Sequence, residues 1–211
     1  KELVPVATIV DLTAFAMVAN AKLPANSLGE LIALAKRQPG KLSYGVSVPI
    51  SAMFAQWVSK QSGIQMTEVP YKTTQQMLGD TISGQTELCV MSLPGIAEQV
   101  RAGKVKVLAV TSAARLRGWD DVPTAGETFP GFQMGGFVVL LAPRGTPLEI
   151  LQRVNRASDP ILKDKVFAGR LGEFGWANLQ GARSVEGTLD FVRAESERWA
   201  RVLKDIGVQP Q

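Results

Sequence analysis

Tyr44-Gly45-Val46-Ser47-Val48-Pro49-Ile50-Ser51 runs directly into Ala52-Met53-Phe54-Ala55-Gln56-Trp57-Val58, and this junction decides the fold class. The first run reads as a strand end and a turn, the second as a helix. In open α/β sheets, a loop at a strand's carboxyl end that leads into a helix is where ligands collect. The exposed N–H groups of the first helical turn favour an anion there. Ordinary βα connections look the same without any ligand, so both readings stand at this point. Outward from the junction, residues 41–124 keep alternating short apolar strands with helices, and small polar residues follow the strands.

Strands are expected at 13–19, 42–46, 87–91, 105–110 and 136–141. Short β-branched and apolar runs between helices suggest parallel pairing with both faces buried. Ser27-Leu28-Gly29-Glu30 reads as a capping box, in which the serine oxygen accepts an early helix N–H and the glutamate reaches back. Leu28, Leu31, Ile32 and Ala35 then share a face, and Pro39-Gly40 stops the helix. Thr73 caps a following helix, with Gln76 completing its box. Thr146-Pro147-Leu148-Glu149 repeats the device, with Pro147 at the first helical position, where its missing donor costs little. Asp159-Pro160 reads as the opening of another helix. A last helix is expected from about Ser184 to Ile206, with Phe191, Trp199, Val202 and Ile206 facing inward and Gly207 ending it.

Composition narrows the chemistry. The 211 residues include no histidine, which removes the usual general base, the usual zinc ligand and the middle member of a Ser-His-Asp triad. The single cysteine, Cys89, lies in Leu88-Cys89-Val90-Met91 and reads as a core thiol without an activating partner. No catalytic residue, no metal site and no cofactor is therefore expected, and the chain is not read as an enzyme. The net charge is +4 and the pI about 9.3, but the basic residues are scattered without interleaved aromatics, so nucleic acid is not an expected partner. No apolar run is long enough to span a bilayer. The chain opens at Lys1-Glu2-Leu3-Val4-Pro5, which neither shows nor excludes a cleaved signal sequence.

A set of short motifs follows in order. It begins with Ser27-Leu28-Gly29-Glu30-Leu31-Ile32-Ala33-Leu34-Ala35-Lys36 and Gln38-Pro39-Gly40-Lys41-Leu42-Ser43-Tyr44-Gly45, and continues with Val69-Pro70-Tyr71-Lys72, Gly84-Gln85 and Leu93-Pro94. Ala102-Gly103-Lys104-Val105, Leu108-Ala109-Val110-Thr111-Ser112-Ala113, Asp121-Val122-Pro123-Thr124, Phe129-Pro130-Gly131-Phe132, Leu140-Leu141-Ala142-Pro143, Gly145-Thr146-Pro147 and Trp199 complete it. In this ordered set the chain resembles the periplasmic substrate-binding proteins of tripartite tricarboxylate transporters, the Bug family. The resemblance implies an α/β fold of the two-lobed periplasmic binding protein type (type II), with parallel-rich sheets flanked by helices. Residues 20–109 would form the second lobe, and 1–19 with 110–211 an incomplete first lobe lacking the family's leading strand, glycine-rich loop and further strand–helix units. It further implies a periplasmic solute-binding protein that captures a small organic acid in an interlobe cleft for membrane transporter subunits.

The chain departs from the family pattern. Val46, Val48, Pro49 and Ile50 stand where a serine- and glycine-rich run is usual, and Phe54 lies near a histidine position. Met91-Ser92 replaces an Asp-Asn pair, and Thr73 follows Lys72 where glycine is usual. A pocket built this way is more apolar and poorer in backbone donors, and a buried carboxylate without paired hydrogen bonds costs several kcal/mol, roughly. The expected ligand set is Ser47, Val48, Ser51, Tyr71, Lys72, Thr73, Ser92 and Phe137. Ser47 enters as a loop hydroxyl and Ser51 as a capping residue facing the cleft, although turn and cap duty alone explains both equally well. Lys72 either pairs with a carboxylate or sits in solvent, Ser92 ends a strand, and Phe137 either lines the site or packs in the core. Gly135-Gly136 allows close backbone approach or a bend. The alternative function is a lobe without ligand binding that self-associates, as a homo-oligomer or with a partner chain, through an exposed sheet edge.

Overall fold

Leu3–Thr13 forms β1 and Phe15–Asn20 forms β2, one extended run of chain broken only at Ala14. The computed structural model describes residues 2–116, 118–173, 176–177, 181 and 183–207. The remaining strands are β3 (Ser43–Val46), β4 (Thr67–Pro70), β5 (Leu88–Ser92), β6 (Val105–Val110), β7 (Gly136–Pro143) and β8 (Trp176–Ala177). The helices are α1 (Leu28–Arg37), α2 (Pro49–Ser62), α3 (Thr74–Ser83), α4 (Ala97–Arg101), α5 (Ala125–Thr128), α6 (Leu148–Lys163), α7 (Lys165–Glu173) and α8 (Val185–Ile206). Among the described residues the strands make a three-stranded sheet in the order β7-β1-β8 and a five-stranded sheet in the order β4-β3-β5-β2-β6.

The five-stranded sheet is mixed in direction, and the three-stranded sheet is antiparallel throughout. Parallel pairing is confined to β3 with β4 and β3 with β5. The long strand β1 runs antiparallel to β7 and β8, and β2 runs antiparallel to β5 and β6. The parallel-rich expectation is corrected on this point, because β2 enters the five-stranded sheet as the continuation of β1 and so runs against its neighbours. Strand pairing carries the five-stranded sheet back to Phe15.

The five-stranded sheet is buried on both faces, and the two-residue period of its strands shows how. Met17 and Ala19 of β2, with Leu88 and Val90 of β5, join a core that includes Leu28, Leu31, Phe54, Val58 and Phe132. Their alternates Ala16 and Val18, with Cys89 and Met91, join a separate core with Met77, Leu93 and Ile96. Full burial of such side chains is worth about 1.5–3 kcal/mol each. The pattern explains why these strands read as continuous apolar runs rather than alternating ones.

Most helix ends follow their local chemistry. Ser27 accepts the Glu30 N–H at 3.2 Å, while the Glu30 carboxylate takes the N–H of Asn26 rather than that of the cap itself. Thr73 caps α3 by accepting the Gln76 N–H at 3.2 Å. Ser184 caps α8, which ends at Gly207 with φ 81°. Trp199 and Val202 are partly buried against the larger core, as expected; Phe191 is half-buried, and the side chain of Ile206 lies outside the described residues. Two expectations are corrected. Pro147 stands at the N-cap of α6, with no side-chain cap from it, and the Thr146 hydroxyl donates to Pro143 O instead. Asp159-Pro160 opens no helix: both residues lie inside α6, Pro160 one turn before its end, where its missing N–H deprives only the Arg156 carbonyl.

Candidate ligand-binding edge

Register aligns one end of every strand in the five-stranded sheet. Val46 stands opposite Pro70, and the Tyr71 N–H donates to Val46 O at 2.8 Å. Gly45 stands opposite Cys89; from there β3 runs into the Ser47-Val48 turn and β5 ends at Ser92. Ser92 in turn pairs with Phe15. Phe15 and Thr111 bond twice: the Thr111 N–H donates to Phe15 O at 2.8 Å, and the Phe15 N–H to Thr111 Oγ1 at 2.9 Å. The edge therefore reads Tyr71, Ser47 with Val48, Ser92, Phe15 and Thr111. It is the carboxyl end of the parallel strands, where ligands of α/β sheets bind. The first sheet starts directly across Ala14, where Thr13 pairs with Gly136 and accepts its N–H at 2.9 Å.

Ser47 is half-buried, and its hydroxyl lies 3.2 Å from Thr74 Oγ1 at the start of α3. Val48 is 45% exposed and forms the N-cap of α2 without a capping side chain. Pro49 follows, so the first turn of α2 starts without one N–H. Ser51 is fully buried. Its hydroxyl donates to Val48 O at 2.6 Å and accepts the Val48 N–H at 3.4 Å. The expectation that Ser51 faces the cleft is corrected: with no oxygen on Val48, the loop turns the serine inward to close its own backbone.

The other expected residues divide between edge and support. The Tyr71 hydroxyl donates to Asp80 Oδ2 at 2.8 Å, and burial together with that carboxylate raises its pKa. This bond holds the ring in place below the loop: a Cβ built on Gly45 would lie 3.0 Å from Tyr71 Cε2 and 2.7 Å from Met77 Cγ. Lys72 and Thr73 are exposed, and Thr73 is engaged as the α3 cap. Ser92 is half-buried at the end of β5. Phe137 lies in β7 of the other sheet, edge-on to Phe191 at 5.3 Å, with the Arg183 guanidinium 4.3 Å over the Phe191 ring. Seven of the eight expected residues thus gather at or beside one sheet edge, and Phe137 belongs to the packing between β7 and α8.

Phe15, Thr74 and Thr111 stand at the same edge and were missed from sequence. Thr111 carried a signal, since it follows the strand at 105–110 as Ser47 follows β3. Phe15 carried none, because its position depends on pairing with residues far along the chain. Two cavities lie away from this edge. One of about 1520 Å³ opens beside β6, lined by Val105, Val107, Trp119, Asp121, Lys165 and Ala168. Another, of about 560 Å³, sits between α6 and α7. Among the described residues no group of three or more Asp, Glu, Cys or His side chains can hold a metal ion, and no helix is long and apolar enough to cross a membrane.

Comparison with known proteins identifies the setting of this edge. The model of the tripartite tricarboxylate transporter family receptor matches residues 1–208. Protein BugT of Bordetella pertussis is 28% identical over 216 residues, covering 99% of this chain and 64% of that protein. A Bordetella bronchiseptica protein of the UPF0065 group is 28% identical over 210 residues, covering 100% of this chain and 62% of its own. The chain thus spans less than two thirds of the length of these curated relatives. Among solved structures, an R. palustris protein with adipate superposes with a TM-score of 0.87 at 30% identity, covering 100% of this chain and 71% of that one. MatC from Rhodopseudomonas palustris, with bound malate, gives 0.76 at 26% identity over 95% of this chain and 69% of its own. The periplasmic binding protein BugD gives 0.82 at 26% identity over 99% and 71%.

Proposed function

Since the chain belongs to the tripartite tricarboxylate transporter receptor family, we propose that it forms the ligand-capturing part of a periplasmic receptor that hands a small organic acid to membrane transporter subunits. The observation that carries this reading is the row of strand ends from Tyr71 to Thr111, which faces the start of the first sheet across Ala14. Adipate and malate in structural neighbours support a carboxylate as the ligand class. Ser47, Val48 and Ser92 are the contacts assigned to the second lobe, with Phe15 and Thr111 beside them. Lys72 stands exposed beside these contacts and is not one of them. Ser51, Tyr71 and Thr73 hold the loop and helix that carry those contacts. The second lobe comprises the five-stranded sheet from Phe15 onward, and the first lobe the β7-β1-β8 sheet with α6 and the first half of α8. Serine chemistry has no support, since Ser51 is buried against its own loop and the sequence holds no histidine.

Thermal denaturation with and without mono- and dicarboxylates at millimolar concentration tests the proposal. Ligand at a hundred times its Kd adds about 2.7 kcal/mol of stability, a readily measured rise in Tm. A panel in which no acid raises the Tm would refute it.

A second reading, self-association, is favoured by one feature. The outer strand β7 of the three-stranded sheet carries Leu140 at 40% and Leu141 at 44% exposure, beside Leu3 at 57% on β1. Edge strands of this apolar kind invite pairing. Light scattering at rising concentration tests it, and a persistent monomer excludes it.

A further inference from the structure

We infer, resting on the carboxylate-receptor reading above, that the second lobe receives the apolar body of the ligand rather than a carboxylate, so that the favoured substrate is a monocarboxylate with a hydrocarbon or aromatic tail. The basis is an inventory of donors around the start of α2. Pro49 has no N–H to offer. The Val48 N–H is turned toward Ser51 Oγ, and the Ser51 N–H is bonded to Val48 O at 3.1 Å. The Ser51 hydroxyl is spent on Val48 O. Tyr71 gives its hydroxyl to Asp80 and its N–H to Val46 O. Ser47 Oγ lies 3.2 Å from Thr74 Oγ1. Beside this donor-poor start of α2 stands Val48, 45% exposed, with Ile50 half-buried two residues on.

A carboxylate pressed against such a wall gives up water without recovering matched hydrogen bonds, whereas a methylene chain or ring loses nothing. The helix start of α2 offers it little, because Pro49 has no N–H and the Ser51 N–H is bonded to Val48 O. A ligand with one charged end is therefore oriented with its tail toward Val48 and its carboxylate away from α2. Val48 is the residue that sets this specificity. The competing arrangement, a dicarboxylate with its second charge on Lys72, leaves a separate signature.

Isothermal titration of the purified chain with hexanoate and adipate, equal in carbon number, decides between them. The expected result is hexanoate bound about tenfold tighter than adipate, with the gap narrowed by Val48→Ser. Serine is a favoured N-cap residue, so this variant keeps α2 in place, and circular dichroism checks that it folds. Lys72→Gln leaves the hexanoate affinity within about twofold. Adipate bound as tightly as hexanoate or tighter, a gap unmoved by Val48→Ser, or an affinity lost in Lys72→Gln would overturn the inference while leaving the receptor reading intact. Binding of neither acid, nor of any other carboxylate, removes the receptor reading and this inference with it.

Discussion

The Trp57 indole of α2 lies on the Phe132 ring, their centroids 4.1 Å apart, although Phe132 belongs to the segment that leaves β6 for the other sheet. Phe54 stacks on the same ring at 5.5 Å, and Phe129 meets Trp57 edge-on at 5.0 Å. Trp199 and Val202 of α8 pack against the core these rings share. The helix that follows the ligand loop is therefore clamped from outside by two later segments of chain.

Phe132→Ala is expected to remove about 3 kcal/mol of stability, since it empties a buried ring position at the centre of this clamp. The urea midpoint should fall with the slope unchanged. A loss under about 1 kcal/mol would mean that the neighbouring rings collapse into the space and that the clamp is not built on Phe132.

Ser51→Ala is expected to lower stability by about 1 kcal/mol, because at a helix start the Val48 N–H loses its acceptor and the Val48 carbonyl one of its two donors. Ligand affinity should change little. An affinity loss of tenfold or more at unchanged stability would restore Ser51 as a direct ligand contact.

Cys89 is fully buried, and burial pushes its thiol up to about 11 from an ordinary value near 9. With the folded value raised, the neutral thiol's contribution is complete below pH 9 and is lost as pH climbs toward 11. Native protein should leave a disulfide reagent unreacted at neutral pH and release one thiol equivalent on unfolding. Rapid reaction of the native state would show that the β5 core opens on its own.

Arg115, bonded in fork geometry to Glu127, holds that carboxyl down at about 2, with the Thr124 N–H assisting. A folded value below the ordinary 4.5 gives stability that is present above pH 4.5 and is lost as pH falls toward 2. Both side chains are nearly half exposed, so the effect on stability is small. The test is a carboxyl titration followed by NMR: the Glu127 midpoint should move up toward 4.5 in Arg115→Gln, and an unmoved midpoint would assign the shift to the Thr124 cap instead.

Local chemistry was readable where the chain decides its own structure. The β6 span, the Ser27, Thr73 and Ser184 caps and the length of α8 all follow from neighbouring residues. The strands β1 and β4 were not legible. Pro5 and Asp11 interrupt the apolar pattern of β1, whose strand state comes from pairing with β7 more than a hundred residues away. The edge strand β4 is short, largely exposed and closed by Pro70. Antiparallel entry of β2 was hidden for the same reason, since direction is set by which strands meet. At the ligand edge, the gathering of Ser47, Val48, Tyr71 and Ser92 followed from strand-end positions. The inward turn of Ser51 did not, because it depends on what Val48 lacks.

Ala14 is wholly enclosed at the single residue where β1 passes into β2. A bulkier side chain has no room at this enclosed junction, so injury at this one methyl reaches the strand of each sheet that meets there. The buried residues to either side of it, Val10 and Ala16 to Ala19, call for matched apolar volume, while the pivot between them holds the sequence to the smallest chiral residue.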